Sequence, residues 1–129
     1  MKTILLVEDD QFILDIYANE FKKEGYKIDI ARSGQEALVK LKNSYPDLLI
    51  LDIKLPRENN GPLVEGEGWE ILKAVRIDPR TQNVKVVVTS NSNEEDNIDN
   101  ISDFKVIKYF LKVTSTPEDI VKVAREILK

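Results

Sequence analysis

The stretch "ILLVEDD", residues 4–10, runs four apolar residues straight into three carboxylates, Glu8, Asp9 and Asp10. An unbroken apolar run this short marks a strand covered on both faces, the signature of a parallel sheet wrapped by helices. Carboxylates crowded at its end repel one another and resist burial, so something must hold them together. As a bare acidic triplet they could equally be a helix N-cap with solubilising charge, because carboxylates suit the positive end of a helix.

The rest of the chain repeats the switch of period. Between residues 11 and 24, Ile13, Ile16, Tyr17 and Phe21 recur at helical spacing, and Gly25 stops the helix. "KIDIA" (27–31) alternates as a strand does, and "SGQEALVKLKN" (33–43) opens with a Ser33–Glu36 capping box and carries Ala37, Leu38 and Leu41 on one face. "DLLILDI" (47–53) is a second buried run. After a loop, "WEILKAVR" (69–76) reads as a helix with Trp69, Leu72 and Val75 in step, and "VKVVVTS" (84–90) as the fourth strand. Ser92 and Glu95 suggest the cap of a short polar helix through Ile98 and Ile101, followed by a fifth strand in "KVIKYFLKV" (105–113). Finally "TPEDIVKVAREIL" (116–128) has Thr116 as N-cap, Pro117 at the first helical position, and Ile120, Val123, Ala124 and Ile127 on one face.

Five alternations of strand and helix predict an α/β fold: a doubly wound five-stranded parallel sheet with helices on both faces. In such sheets ligands bind beyond the carboxyl ends of the strands. Glu8 and Asp9 end the first strand, Asp52 the third, Thr89 and Ser90 the fourth, and Lys112 the fifth, so all converge on one rim.

Composition narrows the chemistry. With 129 residues, 42% hydrophobic and 33% charged, the chain fits one compact domain, residues 1–129. No apolar run reaches membrane-span length, and the acidic start rules against a signal peptide. Cysteine is absent, which makes the cytoplasm the expected location. Histidine is absent too, removing the Ser–His–Asp triad and the usual zinc ligands. A net charge of −4 shows no footprint for nucleic acid and gives no reason to expect a membrane partner. What remains is carboxylates, hydroxyls, lysines and a borrowed metal. Four carboxylates on the rim against one ammonium call for a cation, and an oxygen-only ligand set favours Mg²⁺. Beside that ion Asp52 could act as a nucleophile toward a phosphoryl group, with the Thr89 hydroxyl and Lys112 ammonium holding its oxygens and the small Ser90 leaving room. Asp52, Thr89 or Lys112 alone would mean little; four strand ends together carry the reading.

"ILLVEDD", "PDLLILDIKLP", "VVVTS" and "YFLK", in this order and spacing, resemble the receiver domain of two-component response regulators over essentially the whole chain. The resemblance implies a flavodoxin-like fold with strand order 2-1-3-4-5. It implies Glu8 and Asp9 as the acidic metal pair, Asp52 as phospho-acceptor, and the Lys54 carbonyl as a further Mg²⁺ ligand. Thr89 and Tyr109 match the switch pair and Lys112 the phosphate-sensing lysine, while Asp10 fits an N-cap or an outer position better than a ligand. A histidine kinase or histidine phosphotransfer protein would be the donor, and a downstream protein the target. The domain would be no enzyme beyond Mg²⁺-dependent self-phosphorylation from small donors and autodephosphorylation, with no output domain attached.

Three departures stand out. Val113 follows Lys112 where the family usually has a cis proline; a non-proline cis bond costs about 3 kcal/mol, so the isomer stays open. The loop from Pro56 to Gly68 spans twelve steps and reads first as a tolerated surface insertion, with a flap over the site or a docking element as the alternative. "NSNEEDNIDNISDF" (91–104) is polar, predicting a short or mobile fourth helix. Trp69, the only tryptophan, is expected to pack near the rim and could report metal binding. Two rival functions remain: a receiver-like interaction module that is not phosphorylated, and a flavodoxin-like cofactor binder, which "EDDQ" disfavours because it would repel a phosphate.

Overall fold

A computed structural model describes all residues from Met1 to Lys129. In chain order its elements are β1 (Thr3–Val7), α1 (Gln11–Lys23), β2 (Lys27–Ala31), α2 (Gly34–Asn43), β3 (Leu48–Asp52), β4 (Leu55–Pro56), β5 (Leu63–Val64), α3 (Glu67–Ile77), β6 (Val86–Ser90), a 3-10 turn (Glu94–Asn97), α4 (Ile98–Asp103), β7 (Lys108–Leu111) and α5 (Pro117–Ile127). Five strands form one parallel sheet in the order β2-β1-β3-β6-β7, the expected doubly wound arrangement.

Side chains of a strand alternate between faces, and the core divides accordingly. Leu5, Val7, Leu49, Leu51, Val86 and Val88 join α2 and α3 in one apolar cluster. Ile4, Leu6, Leu48, Ile50 and Val87 join Leu14, Tyr17 and Phe21 of α1 and Ile120, Val121 and Ala124 of α5 in the other. β3 and β6 are buried along their whole length, which is why they read as apolar runs without alternation.

Helix ends follow their capping chemistry, with two corrections. Asp10 caps α1, its Oδ1 accepting from Phe12 N at 2.9 Å, and Thr116 and Asp119 form a reciprocal box at α5. Ser33 accepts from Glu36 N at 3.2 Å, but Glu36 reaches back to Arg32 N, at 2.7 Å, so the predicted box at α2 is only half formed. Ser92 is not a helix cap: the 3-10 turn starts after Asn93 with no side-chain cap. The fourth helix is short, six residues, as its polar sequence suggests. On α5 the buried face is centred on Val121 as well as Ile120 and Ala124, with Val123 and Ile127 at its margin.

The long loop is folded. β4 and β5 pair antiparallel, Leu55 opposite Val64 and Pro56 opposite Leu63. Its tip turns at Asn60, at φ 67°, a left-handed conformation that asparagine tolerates. Arg57 O accepts from Gln35 N at 2.9 Å, seating the hairpin on the start of α2. No peptide bond is cis, so the Lys112–Val113 bond is trans. No helix is long and apolar enough to cross a membrane.

Candidate functional site

The parallel register builds the site. Asp52, the last residue of β3, stands opposite Thr89 near the end of β6, and Lys112 N continues the ladder beyond β7 by donating to Ser90 O at 2.8 Å. Glu8 leaves β1 beside them, its N–H donating to Ala31 O. All the strand-end residues singled out in the sequence therefore meet at one edge, and Glu8, Asp52, Thr89 and Ser90 are buried there.

Lys112 is the pivot. Its Nζ lies 2.9 Å from Glu8 Oε1 and 2.8 Å from Asp52 Oδ2, bridging two carboxylates that are almost fully buried. Lys54 N donates to Asp52 Oδ1 at 3.2 Å, and Glu8 Oε2 accepts from Asp9 N and Asp10 N at 3.0 and 3.2 Å. Part of the answer to how the acids stay together is thus internal: one ammonium and three backbone N–H groups.

That is not enough to neutralise them. Burial, reinforced by the Asp52 charge, pushes the Glu8 carboxyl above its ordinary range despite Lys112. Burial does the same to Asp52, against the pull of Lys112. Half-buried Asp9 is raised by burial and by Glu8. For Lys112, burial pulls downward but the Asp52 and Glu8 charges outweigh it, so its ammonium is held firmly. Glu8, Asp9 and Asp52 each offer an oxygen, all within 4.8 Å of one another. Three hard, under-compensated oxygens with no nitrogen or sulfur donor form a set suited to a hard divalent cation.

Around this centre, Tyr109 is buried with the α2–α3 cluster, its hydroxyl donating to Ser92 O at 2.5 Å and accepting from Asn97 Nδ2 at 3.1 Å. The ring is therefore already turned inward. Ser90 Oγ accepts from Ser92 N at 3.0 Å and orders the start of the same loop. Lys54 Nζ pairs with Glu65 of the hairpin at 3.1 Å, tying the insertion to the turn after Asp52. Trp69 stacks on Phe104 of the α4 end, centroids 6.2 Å apart, on the α3–α4 side of that hairpin.

Sequence reasoning missed two contributors. A Cβ on Gly68 would stand 2.6 Å from both Asp52 O and Ile53 Cα, so only glycine lets α3 close on the Asp52 turn, where Gly68 N donates to Ile53 O at 2.8 Å. The doubled glycine of "GEGWE" was the available signal. Tyr17 was legible only as core, yet it shares a small cavity with Thr89 and Lys112, and burial followed by the Glu8 and Asp52 charges raises the pKa of its phenol. Nothing in an apolar helical stripe reveals that.

This arrangement of parallel strand order and acidic edge defines a class, and comparison with known proteins identifies it. Residues 4–125 match the response regulator receiver domain family, and the chain belongs to that family. It is 31% identical over 130 residues to sporulation initiation phosphotransferase F of Bacillus subtilis, covering the whole of this chain and 94% of that one. The CheY-like receiver domain protein of Methanospirillum hungatei superposes with a TM-score of 0.79 at 30% identity, over 99% of this chain and 94% of that one. Chemotaxis response regulator CheY4 of Vibrio cholerae shares the fold, with a TM-score of 0.80 at 22% identity over 98% of each chain.

Proposed function

We propose that this receiver domain takes a phosphoryl group onto Asp52 from a phosphohistidine of a histidine kinase or phosphotransfer protein. The observation that carries the reading is the buried Asp52 carboxylate, held between Lys112 Nζ and Lys54 N beside Glu8 and Asp9. An Asp52 oxygen forms the new P–O bond while the P–N bond to the donor imidazole breaks and the imidazole leaves with the electron pair. Lys112, released from its carboxylate bridge, is within reach to pair with a phosphoryl oxygen. Thr89, opposite Asp52 in the sheet, offers a hydroxyl to another. Glu8, Asp9 and Asp52, with the Lys54 carbonyl implied by the family likeness, would hold Mg²⁺, which when bound neutralises charge on the incoming phosphoryl oxygens.

Signalling then requires a two-state element. Tyr109 already lies inward, so the change available to it is an exchange of hydroxyl partners, Ser92 O and Asn97, as Thr89 moves toward the phosphoryl group. The name of the Bacillus subtilis relative supports a phosphoryl-transfer setting, here with a downstream protein as reader. The test is intact mass after incubation with Mg²⁺ and a small-molecule phosphodonor. One added phosphoryl group, lost in Asp52→Asn and in chelator, is expected. No added mass on a folded protein, with a working donor control, would favour an unphosphorylated interaction module.

A further inference from the structure

A cavity of about 780 Å³ lies away from the acidic edge, between the hairpin, α3 and α4. Its lining includes Trp69 and Phe104, which stack on each other. Three carboxylates line its walls, Glu65, Glu67 and Glu70, with two cations, Arg57 and Lys73, and Lys54 reaching Glu65 from outside the lining at 3.1 Å. Glu67, its side chain only 12% exposed, has Arg57 as its ion partner at 3.7 Å on the solvent side and sets its other carboxyl oxygen against Gly34 at the start of α2. A mostly buried carboxylate with one loose partner gains from any closer cation. The opposite wall comes from α4, through Asn100 and Phe104, in a segment of one sign. Residues 92–104 hold five acids, Glu94, Glu95, Asp96, Asp99 and Asp103, and no base. The whole chain carries −4, so everything outside this segment is close to neutral and the net negative charge resides in the segment that supplies Asn100 and Phe104 to the groove.

An aromatic pair between acidic walls recognises cations through the ring faces as well as the carboxylates. We propose that the α3–α4 groove docks a basic segment of a partner protein, a Lys- or Arg-rich stretch with one apolar side chain set against Trp69 and Phe104. The groove lies apart from the acidic edge, joined to it by the Lys54–Glu65 pair.

The probe is a short amphipathic peptide of Lys and Leu at helical spacing, with a Glu-for-Lys peptide as its counterpart. Trp69, the only tryptophan, reports occupancy by its emission, and amide shifts in an NMR titration map the contact. The Lys peptide should change Trp69 emission saturably, shift amides of α3, α4 and β5, and weaken with added salt. Glu70→Lys and Asp103→Lys, both at exposed helix positions and both expected to fold, should each weaken it by about tenfold, the Glu peptide giving no response. Equal response to both peptides, unchanged affinity in both variants, or shifts scattered over the surface with Trp69 silent would overturn the proposal.

Discussion

Asp52 and Lys112 should respond to mutation with opposite signs. Burial disfavours the Asp52 carboxylate, and Lys112 supplies the one ammonium that bridges both buried acids, at 2.8 and 2.9 Å. Asp52→Asn removes a buried charge while keeping the shape, so in chelator its melting temperature should rise by a few degrees, the shift that about 1 kcal/mol makes in a domain of this size. Lys112→Ala leaves Glu8 and Asp52 facing each other and should cost about 3 kcal/mol, seen as a lower melting temperature under the same conditions. Two variants moving the same way would contradict this account of the site. Gly68 gives a test of geometry without charge. In Gly68→Ala the new methyl meets backbone at 2.6 Å, which no rotamer change can relieve. A loss of about 1–3 kcal/mol is expected in denaturant unfolding, with slower phosphoryl uptake because the Asp52 turn must shift.

At the scale of elements, α4 is held less by its own sequence than by Arg76 of α3. The guanidinium donates to Phe104 O and Gln82 O, both at 2.9 Å, and to Val84 O at 2.7 Å, so one side chain ties the end of α4 and the entry to β6 together. Arg76→Ala should destabilise the domain by about 2–3 kcal/mol, with amide exchange rising first in α4 and residues 82–85. Uniform exchange across the sheet instead would remove Arg76 from this role. None of this was visible in the sequence, because Arg76 sits in a helix where an arginine normally faces water. What was visible shares one property: it repeats or it is local. The buried runs of β1, β3 and β6, the Asp10 and Thr116 caps and the strand-end acids are all read from a few adjacent residues. The capping box at α2 failed because Glu36 found Arg32 N instead of Ser33 N, a choice between two donors one residue apart. The hairpin was missed because strands of two residues have no period, and it persists through contacts distant in sequence, Lys54 with Glu65 and Arg57 with Gln35. The acidic site was legible as a set of residues, and the Lys112 bridge that organises it only became so once the register was known.

For the whole molecule the same acids predict how stability follows pH. Glu8, Asp9 and Asp52 all titrate above their ordinary values of 4.5, 3.8 and 3.8 in the folded state. Between the ordinary and the raised values the folded chain binds more protons than the unfolded one, so stability is fullest below the unfolded values and is lost as pH rises through the folded ones. Lys112 is raised too and its contribution has the same sign in a higher window: its pairing is present throughout this range and is lost only as pH rises above its ordinary 10.5. In chelator, the melting temperature should therefore climb as pH falls from neutrality toward about 5, before exposed carboxylates held low by partners, such as Asp78 beside Arg80, begin to oppose it. Magnesium should reverse the trend. The cation binds the ionised acids and competes with their protons, and at a hundredfold excess over its dissociation constant it adds about 2.7 kcal/mol. That gain is greatest at neutral pH and shrinks on acidification, so the optimum should move from acidic without metal to near neutral with it. Thermal melts across this range, in chelator and in Mg²⁺, and repeated on Asp52→Asn, decide the matter. The variant should show a flatter profile and a smaller magnesium shift. A wild-type melting temperature that falls steadily on acidification in chelator would mean that the acids at the strand ends are already compensated by Lys112 and the backbone, leaving no surplus charge for a cation to meet.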